Sequence, residues 1–447
     1  MRRMALLLAV SLCMGPPALG REKMSLDLEG SIRIALERSK SLAAAREKVM
    51  EAEARVGQAR AAFLPQISNR STYTRLDVAP YISMKKFPFP MPQGVPMPSK
   101  IPMGRRELYN VTFSLNQPIF TGFKILNGYK MAKYGAEAER FNYEKAKEDL
   151  VFEVHRAYYG VLKAQEFLKA SEQAAEQMEA HLRDLENMYK VGMIAENDLL
   201  KAKVQLSQVR LMRIRAENAL KMARAAFCSV VGLPLETEVE LKSELKYEPP
   251  PPLDLEDAVA TALKERPEVK AMEYTLKALE KSVSVTKAQW LPNLVLIGNY
   301  NYKKPNRESE NKWYKSWDVT LALQMNIWDW GSVHYQTSQA EHRLRQMRRT
   351  YEQLKDGITL EVTQAYLSLK EAQERVSASK ENLAQAEENY RVTKEKFKQG
   401  MATNTDVLDA NAMLTRAKVE RIQALADYNL AIAKLERAMG TSVREGR

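Results

Sequence analysis

One structural plan is written twice in this 447-residue chain. The motif Leu-Asp-Leu-Glu at residues 26–29 recurs at residues 253–256, and Phe-Leu-Pro at residues 63–65 recurs at the same offset as Trp-Leu-Pro at residues 290–292. Four later pairs share a second offset: Val111 and Val319, Ala157 and Ala365, Gly192 and Gly400, Gly232 and Gly440. The change of offset locates one large insertion in the first copy. A duplication of this size predicts two similar units placed side by side around a pseudo-symmetric object.

A heptad pattern of apolar residues runs through the later part of each copy, at Leu150, Val154, Ala157 and Val161, and again at Ile358, Val362, Ala365 and Leu369. A sustained period of 3.5 residues indicates closely packed helices with a left-handed supercoil. Because residues 119–233 contain no Pro, residues 122–191 are predicted to form one helix of roughly 105 Å at 1.5 Å per residue. The chain then returns as a helix over residues 198–231, and helices over residues 339–399 and 406–439 repeat this hairpin.

Four short segments have the period of two that is typical of strands: residues 66–76, 108–119, 293–303 and 316–327. Each is about 9 to 12 residues long, which is the length that a tilted strand needs to cross a bilayer. An open sheet edge cannot lie in lipid, and four strands cannot close a barrel. A membrane role therefore requires several chains.

All five Trp residues flank these segments. Trp290, Trp328 and Trp330 stand at the helix end of the predicted strands, and Trp313 and Trp317 stand at the loop end. Trp is enriched at both membrane–water interfaces. The five residues are therefore predicted to form two membrane girdles.

The first 20 residues have the charged, apolar and small-residue zones of a secretory signal peptide. Cleavage is expected near Gly20, so that Cys13 is lost and Cys228 remains as a single thiol without a disulfide partner. No run of about 18 apolar residues follows, and a membrane-spanning helix is therefore not expected. Export without such a helix leaves the periplasm, the outer membrane or the exterior.

Charge and motifs argue against several functional classes. The formal net charge is +12, but basic residues alternate with acidic ones along the helices, as is typical of solvated helical faces, so no nucleic-acid partner is expected. The sequence contains no G-x-G-x-x-G, P-loop or H-E-x-x-H motif, and its four His residues have no evident site spacing. We therefore expect no enzymatic activity, no bound metal and no cofactor.

The turns between paired helices carry the most specific signature. Residues 191–200 (VGMIAENDLL) and 400–410 (GMATNTDVLDA) match G-x(5)-D-[VL]-L. With the duplicated order of helix, strand pair, long helix, tip and return helix, nearly the whole mature chain resembles the TolC-like outer-membrane efflux proteins. The resemblance implies a mainly α fold with a small β part. Duplicated coiled-coil hairpins and four strands per chain would trimerise into a 12-stranded outer-membrane barrel on an α-helical periplasmic tunnel.

The resemblance also implies a function and partners. The chain would be the passive outer-membrane exit duct of a tripartite efflux or type I secretion system, carrying small molecules such as drugs or metals, or secreted polypeptide. Its partners would be two further copies, a periplasmic adaptor protein, an inner-membrane pump and outer-membrane lipid. The alternative is a periplasmic coiled-coil structural or adaptor protein without a barrel.

The hairpin tips are the expected docking surface for the adaptor. Gly192 and Gly400 let each long helix end in a left-handed conformation, which glycine adopts without steric cost. Met193 and Met401 follow them directly. These four residues are therefore expected to form the adaptor-docking tips.

Three acids and one aromatic residue near the tips are the expected pore gate. Asp198 and Asp406 follow about where a return helix needs an N-cap, so capping is an alternative role for both. Asp406 and Asp409 stand at positions i and i+3, and in a threefold assembly these carboxylates would ring the mouth as a cation filter. Phe397, with Ala402, departs from the family's gate pattern, in which a hydrogen-bonding Tyr and an Arg can occupy these places.

The remaining segments are loops and boundaries. Residues 77–107, rich in Pro and Met, are expected to form an external loop without regular structure, either a lid-like loop or a Cu(I) site built from thioethers. Residues 236–252 are expected to form a Pro-rich linker at the equatorial region. This linker separates a first repeat, residues 21–235, from a second repeat, residues 253–447.

Overall fold

The computed structural model describes residues 24–83, 100–249, 252–305 and 310–442. The predicted signal peptide and Cys13 lie outside these residues. Long helices dominate, and the predicted class, mainly α with a small β part, is confirmed. The helices are α1 Leu28–Arg38, α2 Lys40–Ala61, α3 Lys124–Lys190, α4 Glu196–Val231, α5 Leu255–Glu265, α6 Pro267–Lys287, α7 Ser332–Lys398 and α8 Asn404–Met439.

Strands form a smaller part of the described chain. They are β1 Met24–Leu26, β2 Gln66–Arg75, β3 Tyr81–Ser83, β4 Lys100–Pro102, β5 Glu107–Thr121, β6 Val239–Leu241, β7 Asn293–Lys304 and β8 Tyr314–Gln324. None of the described helices contains an apolar stretch of the length that a lipid bilayer requires.

The chain divides into two compact units. One, the helical unit, comprises residues 1–47, 141–270 and 353–447, and the other, the sheet unit, comprises residues 48–140 and 271–352. Each unit contains segments of both sequence repeats, so the compact units do not coincide with the repeats. This follows from the length of the hairpins, because α3 and α7 each contribute residues to both units.

Four long helices of the helical unit pack in the order α4, α3, α8, α7. Apolar seams join them, and the heptad residues Val154, Val362 and Ala365 are fully buried. Polar contacts fix the order: Arg210 of α4 with Glu179 of α3, Arg437 of α8 with Asp149 of α3, and Arg421 of α8 with the Val376 carbonyl of α7. α1 packs on the end of α4 that lies away from the tip, where Arg38 lies against Gly232. Nearer the tip, exposed side chains such as Val204 of α4 and Glu381 of α7 define the outer flanks of this unit.

The linker between the repeats runs across this unit. β6 pairs in parallel with β1, with Ser25 opposite Glu240. Tyr158 donates a hydrogen bond to Ser243 Oγ at 2.9 Å, and Tyr428 donates to the Glu248 carbonyl. The sequence analysis did not predict β1 or β6, because three-residue strands carry too few residues for a periodic signal.

Four antiparallel strands form the sheet of the sheet unit, in the order β2-β5-β7-β8. β5 and β7 are the central pair, with Phe113 opposite Tyr300, and they come from different repeats. β8 ends at Gln324 rather than at the predicted residue 327. β2 and β8 are the edges of the sheet within the described residues.

The external loop contains regular structure, so its prediction as an irregular segment is wrong. β3 pairs with β4 in antiparallel fashion, with Ile82 opposite Ile101. Pro80 precedes β3, and Pro102 is the last residue of β4. Within the described residues β3 and β4 pair only with each other, so both are edge strands, where Pro is tolerated and does not prevent pairing. The Pro- and Met-rich stretch of residues 84–99 lies outside the described residues.

The start of α7 also differs from the prediction. It begins at Ser332, seven residues before the predicted residue 339. Asp329 explains the difference, because its carboxylate accepts hydrogen bonds from the backbone N–H groups of Gly331 at 3.0 Å and Val333 at 2.8 Å. These bonds satisfy N–H groups that have no partner within a helix.

Candidate functional site

Both long hairpins turn at a glycine in the left-handed region, as predicted. The φ angle is 78° at Gly192 and 74° at Gly400. The N–H of Met193 bonds to the Met188 carbonyl at 2.9 Å, and that of Met401 bonds to the Lys396 carbonyl at 2.8 Å. These long backbone bonds are the Schellman closure of a helix C-terminus.

Apolar side chains project from these turns into solvent. Val191 is 70% exposed, Met193 72% and Met401 67%. Neither Gly192 nor Gly400 has an atom within 4 Å of where a Cβ would lie. The glycines and the exposed apolar side chains beside them thus form an open surface, which is what a docking surface requires.

Neither Asp198 nor Asp406 is the N-cap residue of its helix, so the predicted cap positions are wrong, but Asp406 does take part in capping α8. Thr403 is the N-cap of α8, and Asp406 completes a capping box by accepting from the Thr403 N–H at 2.8 Å. This bond, with one from the Thr403 hydroxyl, lowers the pKa of Asp406. In α4 the N-cap is Ala195, and Asp198 lies in the first turn, 3.9 Å from Lys201 Nζ. Both helices begin earlier than predicted: the Thr403 side chain caps α8, whereas Ala195 at the start of α4 makes no side-chain cap bond.

Asp406 and Asp409 share an exposed face of α8. Their neighbours Val407 and Ala410 are 1% and 3% exposed and carry the packing. Asp198 is half-buried and ion-paired, so it differs in surroundings from this pair. Two of the three gate acids thus lie together on a solvent-facing surface.

A buried polar relay that the sequence analysis missed joins the two hairpins at their tips. His181 Nε2 of α3 donates to Asn404 Oδ1 of α8 at 2.9 Å, and Asn404 Nδ2 donates to the Asp198 carbonyl of α4 at 3.0 Å. His181 is 3% exposed and Asn404 5%. The signature of a lone His is weak, and its partner lies 223 residues away in the chain, so no local pattern could reveal the pair.

Phe397 of α7 belongs to this relay rather than to the acid pair. Its ring meets the His181 ring edge-to-face at 5.5 Å, and it packs on the cluster that contains Met178 and Leu199. Burial lowers the pKa of His181, which is therefore neutral at pH 7. The relay joins α3, α4 and α8 by hydrogen bonds and α7 by ring packing, so all four helices meet at this point.

The sheet presents an apolar face lined by exposed side chains. Ile67 is 75% exposed, Trp317 75%, Leu321 63% and Leu323 70%. Cross-strand partners share a face, and the register aligns Ile67, Leu115, Gly298 and Val319 in one row of it. An exposed apolar surface across four strands is typical of contact with lipid.

Aromatic residues lie at both ends of this sheet. At the loop end, Trp313 stacks on Tyr302 at 4.5 Å and lies 6.1 Å from Tyr109, whereas Trp317 lies within β8 opposite Tyr300. At the helix end, Trp328 and Trp330 meet at 5.7 Å and are 74% and 86% exposed. Trp290, in a short 3₁₀ turn before β7, is 44% exposed.

In the described residues, no cluster of His, Cys, Asp or Glu has the composition of a metal site. The candidate functional surfaces are the hairpin tips of the helical unit and the two faces of the sheet.

Known proteins resemble this chain over 74% to 97% of its length. It is 23% identical over 436 residues to the outer membrane efflux protein BepC of Brucella suis, covering 97% of this chain and 90% of BepC. It is 23% identical over 335 residues to the alkaline protease secretion protein AprF of Pseudomonas aeruginosa, covering 74% of this chain and 69% of AprF. The crystal structure of the Campylobacter jejuni CmeC outer membrane channel superposes with a TM-score of 0.77 at 19% identity, covering 93% of this chain and 86% of CmeC.

The model of one family matches both sequence repeats. It is described as outer membrane efflux protein, and it covers residues 31–233 and 258–441. The two matched segments contain α3, α4, α7, α8 and all four strands of the large sheet. The chain belongs to the outer membrane efflux protein family.

Proposed function

We propose that this outer-membrane exit duct works as a homotrimer whose hairpin tips dock on a periplasmic adaptor protein of an inner-membrane pump. Its family membership gives the outer membrane as its location, with the helical tunnel in the periplasm. The family is made up of channel proteins. We propose further that the chain acts passively, without catalysis and without a cofactor or bound metal.

The open sheet is the observation that supports a trimer. Within the described chain, β2 and β8 each pair on one side only, yet the apolar face suits lipid. Unpaired edge N–H and C=O groups are too costly in a bilayer, so the edges must pair with other copies. By family analogy, three copies of four strands close the barrel, and Trp290, Trp313, Trp317, Trp328 and Trp330 serve as its girdles.

The outer flanks of the helical unit support the same closure. Residues 201–224 of α4 carry seven basic residues and one acidic residue, whereas residues 371–388 of α7 carry five acidic and two basic residues. Glu381 and Arg213 lie at the same distance along the sequence from the tip ends of their helices, α7 and α4. An exposed apolar stripe accompanies the basic residues of α4: Leu200, Val204, Leu211 and Ile214. Complementary charge at matched levels favours the α4 flank of one copy against the α7 flank of the next.

We propose that one set of tip residues docks on the adaptor and that another set forms the gate. Gly192, Met193, Gly400 and Met401 form the exposed turns that meet the adaptor. Asp406, Asp409, Asp198 and Phe397 form the gate, with Asp406 and Asp409 as a cation-binding ring and Phe397 as a packing element of the closed tip. The exposure of the two acids and the packing of the half-buried Phe397 ring against His181 support this division.

The cargo follows from the pump to which the duct docks. BepC is named an efflux protein and AprF a protease secretion protein, so relatives of similar identity are named for efflux and for secretion of a protein. A passive duct imposes little selection by itself. We therefore place this chain in either system according to its adaptor.

Membrane fractionation followed by mass measurement tests the proposal. The full-length protein should fractionate with the outer membrane, and in detergent it should have three times the mass of one chain and dissociate on heating. A folded monomer in detergent, or recovery in the soluble periplasmic fraction, would remove the basis for a closed duct.

A further inference from the structure

A hydrogen-bonded row of side chains crosses the polar face of the sheet. The register places Ser114, Asn299 and Asp318 in one row and Thr112 and Asn301 in the next. Side chains in such rows point to the same face because cross-strand partners share a face. The row therefore runs over β5, β7 and β8 on the face opposite Trp317 and Val319.

The hydrogen bonds of this row converge on one carboxylate. Ser114 Oγ donates to Asn299 Oδ1 at 2.8 Å, and Asn299 Nδ2 donates to Asp318 Oδ2 at 2.8 Å. Thr112 Oγ1 donates to Asn301 Oδ1 at 2.9 Å, and Asn301 Nδ2 donates to Asp318 Oδ1 at 3.2 Å. Each amide accepts on its oxygen and donates from its nitrogen, so both oxygens of Asp318 receive an oriented donor.

Asp318 keeps its negative charge exposed on this face. Its side chain is solvent-exposed, and no cation is paired with it in the described chain. Among the described strand residues of the large sheet, the other charged groups that the register assigns to this face are Arg70, opposite Thr112, and Lys303, opposite Asn110. The face thus carries one fixed negative charge held between amides, with two basic residues in neighbouring rows.

We propose that Asp318 shifts the charge selectivity of the duct towards cations at the level of the outer membrane. The inference rests on the proposed function, in which the polar face of the closed sheet lines the lumen. Three copies then place three oriented carboxylates on the wall. Electrostatic screening at 0.1 M salt acts over about 10 Å, so a fixed wall charge acts on ions that pass beside it.

Asn299 and Asn301 are positioning residues for this carboxylate. Each amide Nδ2 donates a hydrogen bond to Asp318, and each amide Oδ1 accepts a hydrogen bond from a hydroxyl group on β5. The arrangement fixes the carboxylate in one orientation, so little side-chain freedom has to be lost when a cation approaches.

The test is the reversal potential of the full-length protein in a planar bilayer under a KCl gradient. Asp318→Asn removes the charge and keeps the shape, and the remaining Arg70 and Lys303 then dominate the face. The ratio of K⁺ to Cl⁻ permeability should fall by about twofold or more, and the fall should be larger at low salt. Asp318→Ser, which also removes the charge, gives a second readout should the Asn variant insert poorly.

Glu107→Gln is the matched control. Glu107 pairs with Arg75 on the opposite face of the sheet, so this variant removes the same charge without changing the polar face, and its permeability ratio should equal that of the wild type. An unchanged ratio in both conducting Asp318 variants would overturn the role of Asp318. A wild-type protein that forms no conducting channel would instead contradict the proposed function itself.

Discussion

Glu148 is a carboxyl group buried at 8% exposure among the charges of the helical unit. Arg266 donates to Glu268 at 2.9 Å and to Glu361 at 2.6 Å, and Arg437 donates to Asp149 at 2.6 Å. Glu148 lies near this network, and burial, aided by the charge of Glu268, raises its pKa to about 7. Its ionisation therefore opposes folding, since the unfolded carboxyl loses its proton at a lower pH.

Glu148→Gln should therefore stabilise the protein at pH 8. The folded state of the wild type retains a proton that the unfolded state loses above about pH 4.5, so wild-type stability falls as pH rises from there to about 7 and is then level. The variant lacks this fall and should gain about 1–3 kcal/mol at pH 8 and little at pH 4. Thermal unfolding at both pH values measures this. Asp149→Asn, which weakens the bond from Arg437, should be destabilising at pH 8, and a loss of stability in Glu148→Gln would contradict the argument.

Acid should loosen the tip relay through His181. The folded-state pKa of His181 is lowered by burial, opposed by the hydrogen bond to Asn404 and by Asp184, and lowered further by Lys394. Stability from the neutral ring is therefore complete above the unfolded pKa of about 6.5 and is lost as pH falls below it. Hydrogen exchange of the tip amides should accelerate between pH 7 and pH 5, after correction for intrinsic exchange. His181→Phe removes the titration, so equal pH dependence in that variant would exclude His181 as the cause.

At the scale of elements, local chemistry accounts for most of what the sequence predicted. The ends of α3 and α4 fall near their predicted positions because Gly192 and Gly232 are left-handed helix ends, with φ of 78° and 82°. Local patterns failed where a partner is distant in the chain. The pairing of β1 with β6, the β5–β7 pair and the bond from His181 to Asn404 all join residues from separate parts of the sequence, and single-segment periodicity does not specify such pairs.

The capping box predicts different roles for two neighbouring acids of α8. Asp406→Ala should lower the thermal stability of the tip measurably, because it removes the acceptor of the Thr403 N–H and hydroxyl bonds. The pKa of Asp406 is lowered in the folded state. The stabilisation from the capping box is therefore present at neutral pH and is lost as the pH falls through this lowered pKa. Asp409→Ala removes an exposed charge without a cap and should change stability little. Equal melting temperatures for the two variants at pH 7 would show that the box does not stabilise α8.

At the scale of the whole molecule, the same topological feature appears twice. The sheet order β2-β5-β7-β8 leaves two edges, and the helix order α4, α3, α8, α7 leaves two flanks. Each unit thus presents two different surfaces that are able to meet in a head-to-tail contact between copies, and heterologous contacts of this kind close into a ring when the rotation between copies completes a full turn. The duplicated pattern of strands in the sequence indicated that closure requires several chains. The number of copies, in contrast, came from the family resemblance.

Charge reversal across the flanks tests this closure directly. Glu374 and Glu381 of α7, like Arg215 and Lys221 of α4, are exposed and make no ion pair within the described chain. Changing Glu374 and Glu381 to Arg should place like charges across the seam between copies and raise the concentration for half-dissociation of the trimer about tenfold or more. Combining this pair with Arg215→Glu and Lys221→Glu should restore much of the lost trimer stability.

Glu37→Arg, an exposed change on α1, is the control and should leave assembly unchanged. Full trimer stability in the α7 double variant, measured by dilution in detergent, would show that α4 and α7 do not meet.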